Sequence, residues 1–158
     1  EALFGEVDEK VKSLPLFGIS KKIYKGEIFP PESDDFVSDD NLFNYQAKII
    51  KEVAAEESCV IIGRCADFIL KDNPDVVRLF FYAPKEDCIA RVKTQNGGTE
   101  KEIIRKIEKT DKYRSDYYRY HTGKDWNDSR NYDFCLNTAS MSYEKLVAVV
   151  KAYIEQYK

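Results

Sequence analysis

Short apolar runs alternate with helix-forming segments along most of this chain, and this alternation limits the possible folds more than any other feature. The runs at 59–62, 76–82 and 132–137 are rich in β-branched and aromatic residues and are predicted to be strands. Sequence with a helical spacing of apolar residues separates them. Strands that are connected through helices form parallel sheets covered by helices. We therefore predict a three-layer α/β domain with a parallel sheet.

The predicted helices have recognisable start and stop signals. Asp40 or Asn41 caps the first, Pro84 opens the third, and Thr99 followed by Glu102 is a capping box for the fourth. Five helices are predicted after the N-terminal region, at 41–57, 64–71, 85–95, 99–117 and 142–157.

The N-terminal region departs from this alternation. Residues 1–14 have the spacing of a short amphipathic helix, and the acidic, proline-containing stretch at 15–40 is predicted to be a long loop or insertion. A parallel sheet this hydrophobic needs both faces and its edges covered. We therefore predict that residues 1–158 form one domain that lacks its first strand, with one or two further strands upstream of Glu1.

Composition restricts the partner to a small ligand. The chain has 158 residues, a net charge of -3 and a pI near 5.4, which argues against nucleic-acid binding through a basic surface. No apolar run is long enough to span a membrane, so no membrane partner is expected. The four cysteines lack metal-type spacing and fit reduced thiols in core positions of a cytoplasmic protein.

The single histidine, His121, lies in a polar stretch that we predict to be flexible, with no nucleophile motif beside it. The sequence therefore argues against covalent hydrolase chemistry and against a His/Cys metal site. Magnesium bound through substrate phosphates needs few protein ligands and stays compatible with the sequence.

The first candidate site follows the predicted strand at 59–62, where Gly63 and Arg64 precede a helix. A guanidinium at the carboxyl end of a parallel strand, beside free helix amides, suits phosphate oxygens. The alternative is an ordinary surface arginine that pairs with Asp67. That pairing is the favoured role for Asp67, with a hydrogen bond to a base or sugar as the other.

The second candidate site is the segment 109–126, in which cations alternate with tyrosines. Arg114 and Arg119 are suited to neutralising charge on a transferred phosphoryl group, and the glycine near the end of the segment suggests a hinge. The alternative, equally weighted, is that the tyrosines pack on the domain and the arginines extend past them to water.

Three motifs, GRCADFIL, VVRLFFYAP and KIEKTDKYRSDYYRYHTGKDW, together with NYDFCLNTASMS, resemble the cytidylate kinase-like family of P-loop nucleoside monophosphate kinases. The resemblance implies a P-loop α/β/α fold and transfer of the ATP γ-phosphoryl group, with Mg²⁺, to CMP or a related pyrimidine monophosphate. It implies that Arg64 binds the acceptor phosphate and that Lys109, Arg114 and Arg119 belong to a lid. Gln46 resembles a glutamine of the acceptor-side helix.

The phosphate loop of that family is missing from the sequence. None of the seven glycines forms G-x-x-x-x-G-K-[ST], and we expect the loop upstream of Glu1. Residues 1–158 alone are then not expected to hold ATP. Two other functions stay open: a regulatory domain that binds a nucleotide or phosphorylated ligand without catalysis, and an interaction domain that docks a protein through its tyrosines.

Overall fold

The computed structural model describes residues 39–157 and, before them, Gly26, Ile28, Pro30 and Ser33. The predicted helix at 1–14 and most of the predicted loop at 15–40 lie outside the described residues. The elements are α1 (Asp39–Glu56), α2 (Ala66–Ile69), β1 (Leu79–Tyr82), α3 (Lys85–Asn96), α4 (Glu100–Thr122), a 3-10 turn (Ser129–Asn131), β2 (Phe134–Asn137) and α5 (Tyr143–Tyr157).

The described strands, β1 and β2, pair in parallel with Leu79 opposite Phe134. Arg78 and Asp133 join the strands where they begin. The Arg78 amide donates to Asp133 Oδ2 at 2.8 Å, and its guanidinium donates to both carboxylate oxygens at 2.9 and 2.6 Å. This contact holds the pKa of Asp133 below its usual range, chiefly through the side-chain hydrogen bond. The prediction of an α/β fold with a parallel sheet is confirmed.

The chain divides into two compact units, one of which contains the sheet, α3, α5 and the first part of α4. Ile103, Leu136 and Leu146 are buried in it. The predicted capping box is present, because the Thr99 amide and hydroxyl donate to Glu102 Oε2 at 3.0 and 2.7 Å. This capping interaction places the start of α4 directly after Thr99, as predicted.

The other unit contains α1, α2 and the segment from Lys112 to Asn127, which includes the last turns of α4. Acidic residues occupy the first turn of α1, where their negative charge interacts favourably with the helix dipole. The buried apolar residues of this unit are Phe43, Ala47, Ile50, Cys65, Ala66, Ile69, Leu70, Tyr117, Tyr118 and Tyr120. Leu42 and Ile49, predicted to belong to the apolar stripe of α1, are exposed instead.

The predicted strand at 59–62 is wrong. These residues are irregular, and Val60 and Ile62 are 91% and 89% exposed. An extended segment becomes a strand only when a neighbour accepts and donates its backbone hydrogen bonds, and no described residue pairs with this one. Cys59, predicted to be a core residue, is also exposed.

Two predicted helices differ in length from the observed ones. The helix predicted at 64–71 contracts to α2, because Arg64 and Cys65 have left-handed backbone conformations. The helix predicted at 99–117 continues to Thr122, so it includes most of the segment that was predicted to be flexible. No helix among the described residues is both long and apolar enough to cross a membrane.

Candidate functional site

The Gly63–Arg64 motif lies in a tight turn that precedes α2. The φ angles of Gly63, Arg64 and Cys65 are 71°, 55° and 55°, and the Ala66 amide donates to the Gly63 carbonyl at 3.1 Å. A left-handed conformation costs an L-residue roughly 1–2 kcal/mol, and here two consecutive non-glycine residues adopt it. The turn therefore depends on its surroundings for its shape.

Asp67 lies on α2, three residues after Arg64, and its carboxylate faces α4. Tyr118 donates its hydroxyl hydrogen to Asp67 Oδ2 at 2.7 Å. Burial raises the pKa of Asp67, and the Tyr118 hydrogen bond and the charge of Lys124 oppose that rise. The pairing of Asp67 with Arg64 that the sequence favoured is thus wrong, since the described partner of this carboxylate is a tyrosine.

Two further tyrosines connect α4 to α1. The Tyr117 hydroxyl donates to Gln46 Oε1 at 3.3 Å, and the Tyr120 hydroxyl donates to Asp40 Oδ1 at 3.0 Å. Tyr117, Tyr118 and Tyr120 are all buried. The tyrosines of this segment therefore pack on the domain, which is one of the two roles the sequence left open.

His121 completes the same cluster. It is 3% exposed, and its ring stacks on Phe43 with centroids 3.8 Å apart and planes 6° from parallel. Burial lowers its pKa from 6.5 to about 4, against the opposing charges of Asp40 and Asp39. The prediction that His121 lies in a flexible stretch is wrong: it is a neutral core residue at pH 7.

The basic residues of α4 differ from the tyrosines in their exposure. Arg114 and Arg119 are exposed, and Arg119 forms an ion pair with Asp125 at 3.4 Å. Lys109 is exposed too, but it precedes the boundary at Lys112 and so belongs to the unit that contains the sheet.

The structure therefore brings most of the predicted site residues into one unit: Gln46, Gly63, Arg64, Asp67, Arg114 and Arg119. Two of them, Gln46 and Asp67, are linked to α4 by tyrosine hydroxyls. Sequence reasoning missed these tyrosines as partners of the site residues. The available signal covered only Tyr117 and Tyr120, because residues three apart share a helix face.

No group of three or more His, Cys, Asp or Glu side chains in the described part of the chain is arranged to bind a metal ion. The described residues likewise include no glycine-rich phosphate loop. Binding of ATP, and of magnesium through substrate phosphates, stays a prediction.

Comparison with known proteins shows the family of this chain. The family model for the cytidylate kinase-like family matches residues 1–140. The chain belongs to the cytidylate kinase-like family. A crystal structure of an uncharacterized protein from Eubacterium ventriosum shares this fold, with a TM-score of 0.70 and 31% identity over 77% of this chain and 69% of that one.

The curated proteins to which the chain is similar include several cytidylate kinases. The protein from Pyrococcus horikoshii is 34% identical over 66% of this chain and 53% of its own length. The one from Methanopyrus kandleri is 27% identical over 85% of this chain and 80% of its own length. A uronate isomerase from Corynebacterium glutamicum is 30% identical over 66% of this chain but only 20% of its own length. The chain thus spans between a fifth and about half of the first relatives it matches.

Proposed function

We propose that this chain is the acceptor-binding part of a nucleoside monophosphate kinase that transfers the γ-phosphoryl group of ATP to CMP or a related pyrimidine monophosphate. The observation that carries the proposal is the Gly63–Arg64 turn, which lies in the same unit as Arg114 and Arg119 and is joined to their helix by the Tyr118–Asp67 hydrogen bond. Membership of the cytidylate kinase-like family supports the same reaction.

Arg64 is proposed to bind the acceptor phosphate. A guanidinium is always charged and presents paired N–H donors that match two phosphate oxygens. The backbone around Arg64 is constrained by the turn and by α2, so the position of its Cα is defined before a ligand arrives. A donor that is already in position contributes more to the transition state than one that must be ordered during the reaction.

Arg114 and Arg119 are proposed to stabilise the charge that develops on the transferred phosphoryl group. In that reaction an oxygen of the acceptor phosphate attacks the γ-phosphorus, the bond to the β-γ bridging oxygen breaks, and ADP leaves with a nucleoside diphosphate as the other product. Phosphoryl transfer of this kind needs positioning and positive charge, with little covalent chemistry from the protein. The burial of His121, which keeps it neutral and stacked on Phe43, supports a route without a histidine nucleophile.

Gln46 is proposed to lie on the side of the base and sugar, as part of the acceptor site, and Asp67 to support that site, since its carboxylate accepts the Tyr118 hydrogen bond. In typical cytidylate kinases an acid stands on either side of the Gly-Arg pair, whereas here Ile62 and Cys65 occupy those positions. Asp67 is the acid nearest in sequence to that pair. ATP is proposed to bind through a phosphate loop upstream of Glu1, with Mg²⁺ held by its phosphates.

The experiment that tests this function compares Arg64→Ala and Arg114→Ala with the wild type. The assay is diphosphate formation from ATP, Mg²⁺ and CMP, in the protein with whatever residues its gene encodes upstream of Glu1. Each substitution is expected to lower kcat/KM by on the order of 100-fold or more, because each removes one preorganised charge contact. Arg105→Ala is the matched control, since Arg105 is an exposed arginine of the other unit. Wild-type turnover in both variants would end the proposal.

Another function that the sequence left open is a regulatory domain that binds a nucleotide or another phosphorylated ligand without catalysis. Calorimetry separates the two. Tight binding of CMP with no diphosphate formed in the protein that carries its upstream residues would favour the regulatory domain.

A further inference from the structure

The turn that presents Arg64 has few local means of keeping its shape. α2 is a single turn of four residues, Ala66–Ile69, and its backbone bonds are local: the Phe68 and Ile69 amides donate to the Cys65 carbonyl at 3.0 and 2.9 Å. Arg64 and Cys65 adopt left-handed conformations that side chains disfavour. A contact from outside the segment is needed to favour this backbone over a relaxed one.

The hydrogen bond from Tyr118 to Asp67 supplies such a contact. This hydrogen bond joins α2 to a residue 51 positions away in sequence. The other hydrogen bonds of α2 among the described residues are local. The donor is itself fixed, because Tyr118 is buried and its carbonyl accepts a hydrogen bond from the Thr122 hydroxyl at 2.6 Å. The neighbouring bonds of Tyr117 and Tyr120 hold the same helical turns against α1.

We propose that Tyr118 is a positioning residue for the acceptor phosphate: its hydroxyl holds Asp67, and through α2 it holds the left-handed turn that presents the Arg64 guanidinium. This inference rests on the proposed function, since it takes Arg64 to be the phosphate ligand. Tyr118 itself contacts no substrate in this scheme. Its effect is confined to the phosphate and does not extend to the base or sugar.

Tyr118→Phe tests the proposal, because it removes the hydroxyl and keeps the ring that packs in the core. The measurement is an NMR titration of the 158-residue chain with CMP and, separately, with cytidine, which lacks the phosphate. We expect the affinity for CMP to fall about tenfold, the equivalent of one hydrogen bond, while the affinity for cytidine stays unchanged. A purely structural defect would weaken both ligands alike.

Tyr120→Phe is the matched control. It removes the same group from the same helix, but its partner is Asp40 on α1 and not a residue of α2. We expect it to leave the affinity for CMP unchanged. A loss equal to that of Tyr118→Phe would overturn the positioning role, as would an unchanged affinity in Tyr118→Phe.

A double-mutant cycle with Arg64→Ala identifies the route of the effect. If Tyr118 acts by presenting Arg64, Tyr118→Phe has no further effect on CMP affinity once Arg64 is alanine. An additive loss would contradict the inference. A wild-type chain that binds neither CMP nor any other nucleoside monophosphate would instead contradict the proposed acceptor site, so the two failures are distinguishable.

Discussion

At the scale of single residues, His121 shows most directly how packing changes chemistry. The unfolded chain takes up a proton on this imidazole near pH 6.5, whereas the folded protein does so only near pH 4. Between these values the unfolded state binds more protons, so the histidine lowers the free energy of unfolding as the pH falls from 6.5 to 4. The difference between the two pKa values corresponds to a loss of about 3 kcal/mol in the free energy of unfolding once the pH is below both of them.

We therefore expect His121→Phe to lose this part of the pH dependence, because phenylalanine keeps an aromatic ring beside Phe43 and does not titrate. The test is the free energy of unfolding, measured by urea titration at pH 7 and at pH 4.5. Relative to the wild type, the variant should gain about 2 kcal/mol in its free energy of unfolding when the pH falls from 7 to 4.5. His121 is the only histidine of the chain, so no other imidazole contributes. Parallel pH profiles would show that the imidazole titrates normally in the folded state.

At the scale of elements, the contact between Arg78 and Asp133 fixes the start of the sheet. It combines two side-chain bonds with a backbone bond from the Arg78 amide, and the Asp133 amide donates to the Arg78 carbonyl at 2.8 Å in return. A short pair of four-residue strands depends on such a contact, because it offers few ladder bonds of its own.

Arg78→Lys is expected to lower the free energy of unfolding by about 1–2 kcal/mol, since an ammonium cannot reproduce the paired geometry of the guanidinium. Denaturant titration of the chain checks this. Arg130→Lys is the control: Arg130 pairs with Asp128 through similar bonds, but its side chain is largely exposed, and we expect no measurable change. Equal effects of the two substitutions would show that partial burial adds nothing to the Arg78 pair.

The elements also show what sequence can predict and what it cannot. α3 and the start of α4 were predicted well because their signals, Pro84 and the Thr99–Glu102 pair, act within a few residues. The strand at 59–62 was not, because pairing depends on a partner elsewhere. Arg64 was identified as a candidate, but its left-handed turn and the bond between Tyr118 and Asp67 depend on packing between positions far apart in sequence.

At the scale of the whole molecule, the exposed residues at 59–62 are the part of the fold that most needs a test. Ile62 is a large hydrophobic side chain in this segment, and it is exposed. Ile62→Ala in this chain is expected to change the free energy of unfolding by less than about 0.5 kcal/mol, as at other exposed positions. Ile69→Ala, at a buried position of the same unit, is expected to cost about 2–5 kcal/mol.

The buried tyrosines lie in the last turns of α4, and this has a consequence for how the family can diverge. Successive residues of a helix are about 100° apart around its axis. Deleting Arg119 would therefore turn Tyr120 and His121 away from Asp40 and Phe43 while Tyr118 stayed opposite Asp67. Natural variants of this protein should almost never differ in how many residues these turns contain.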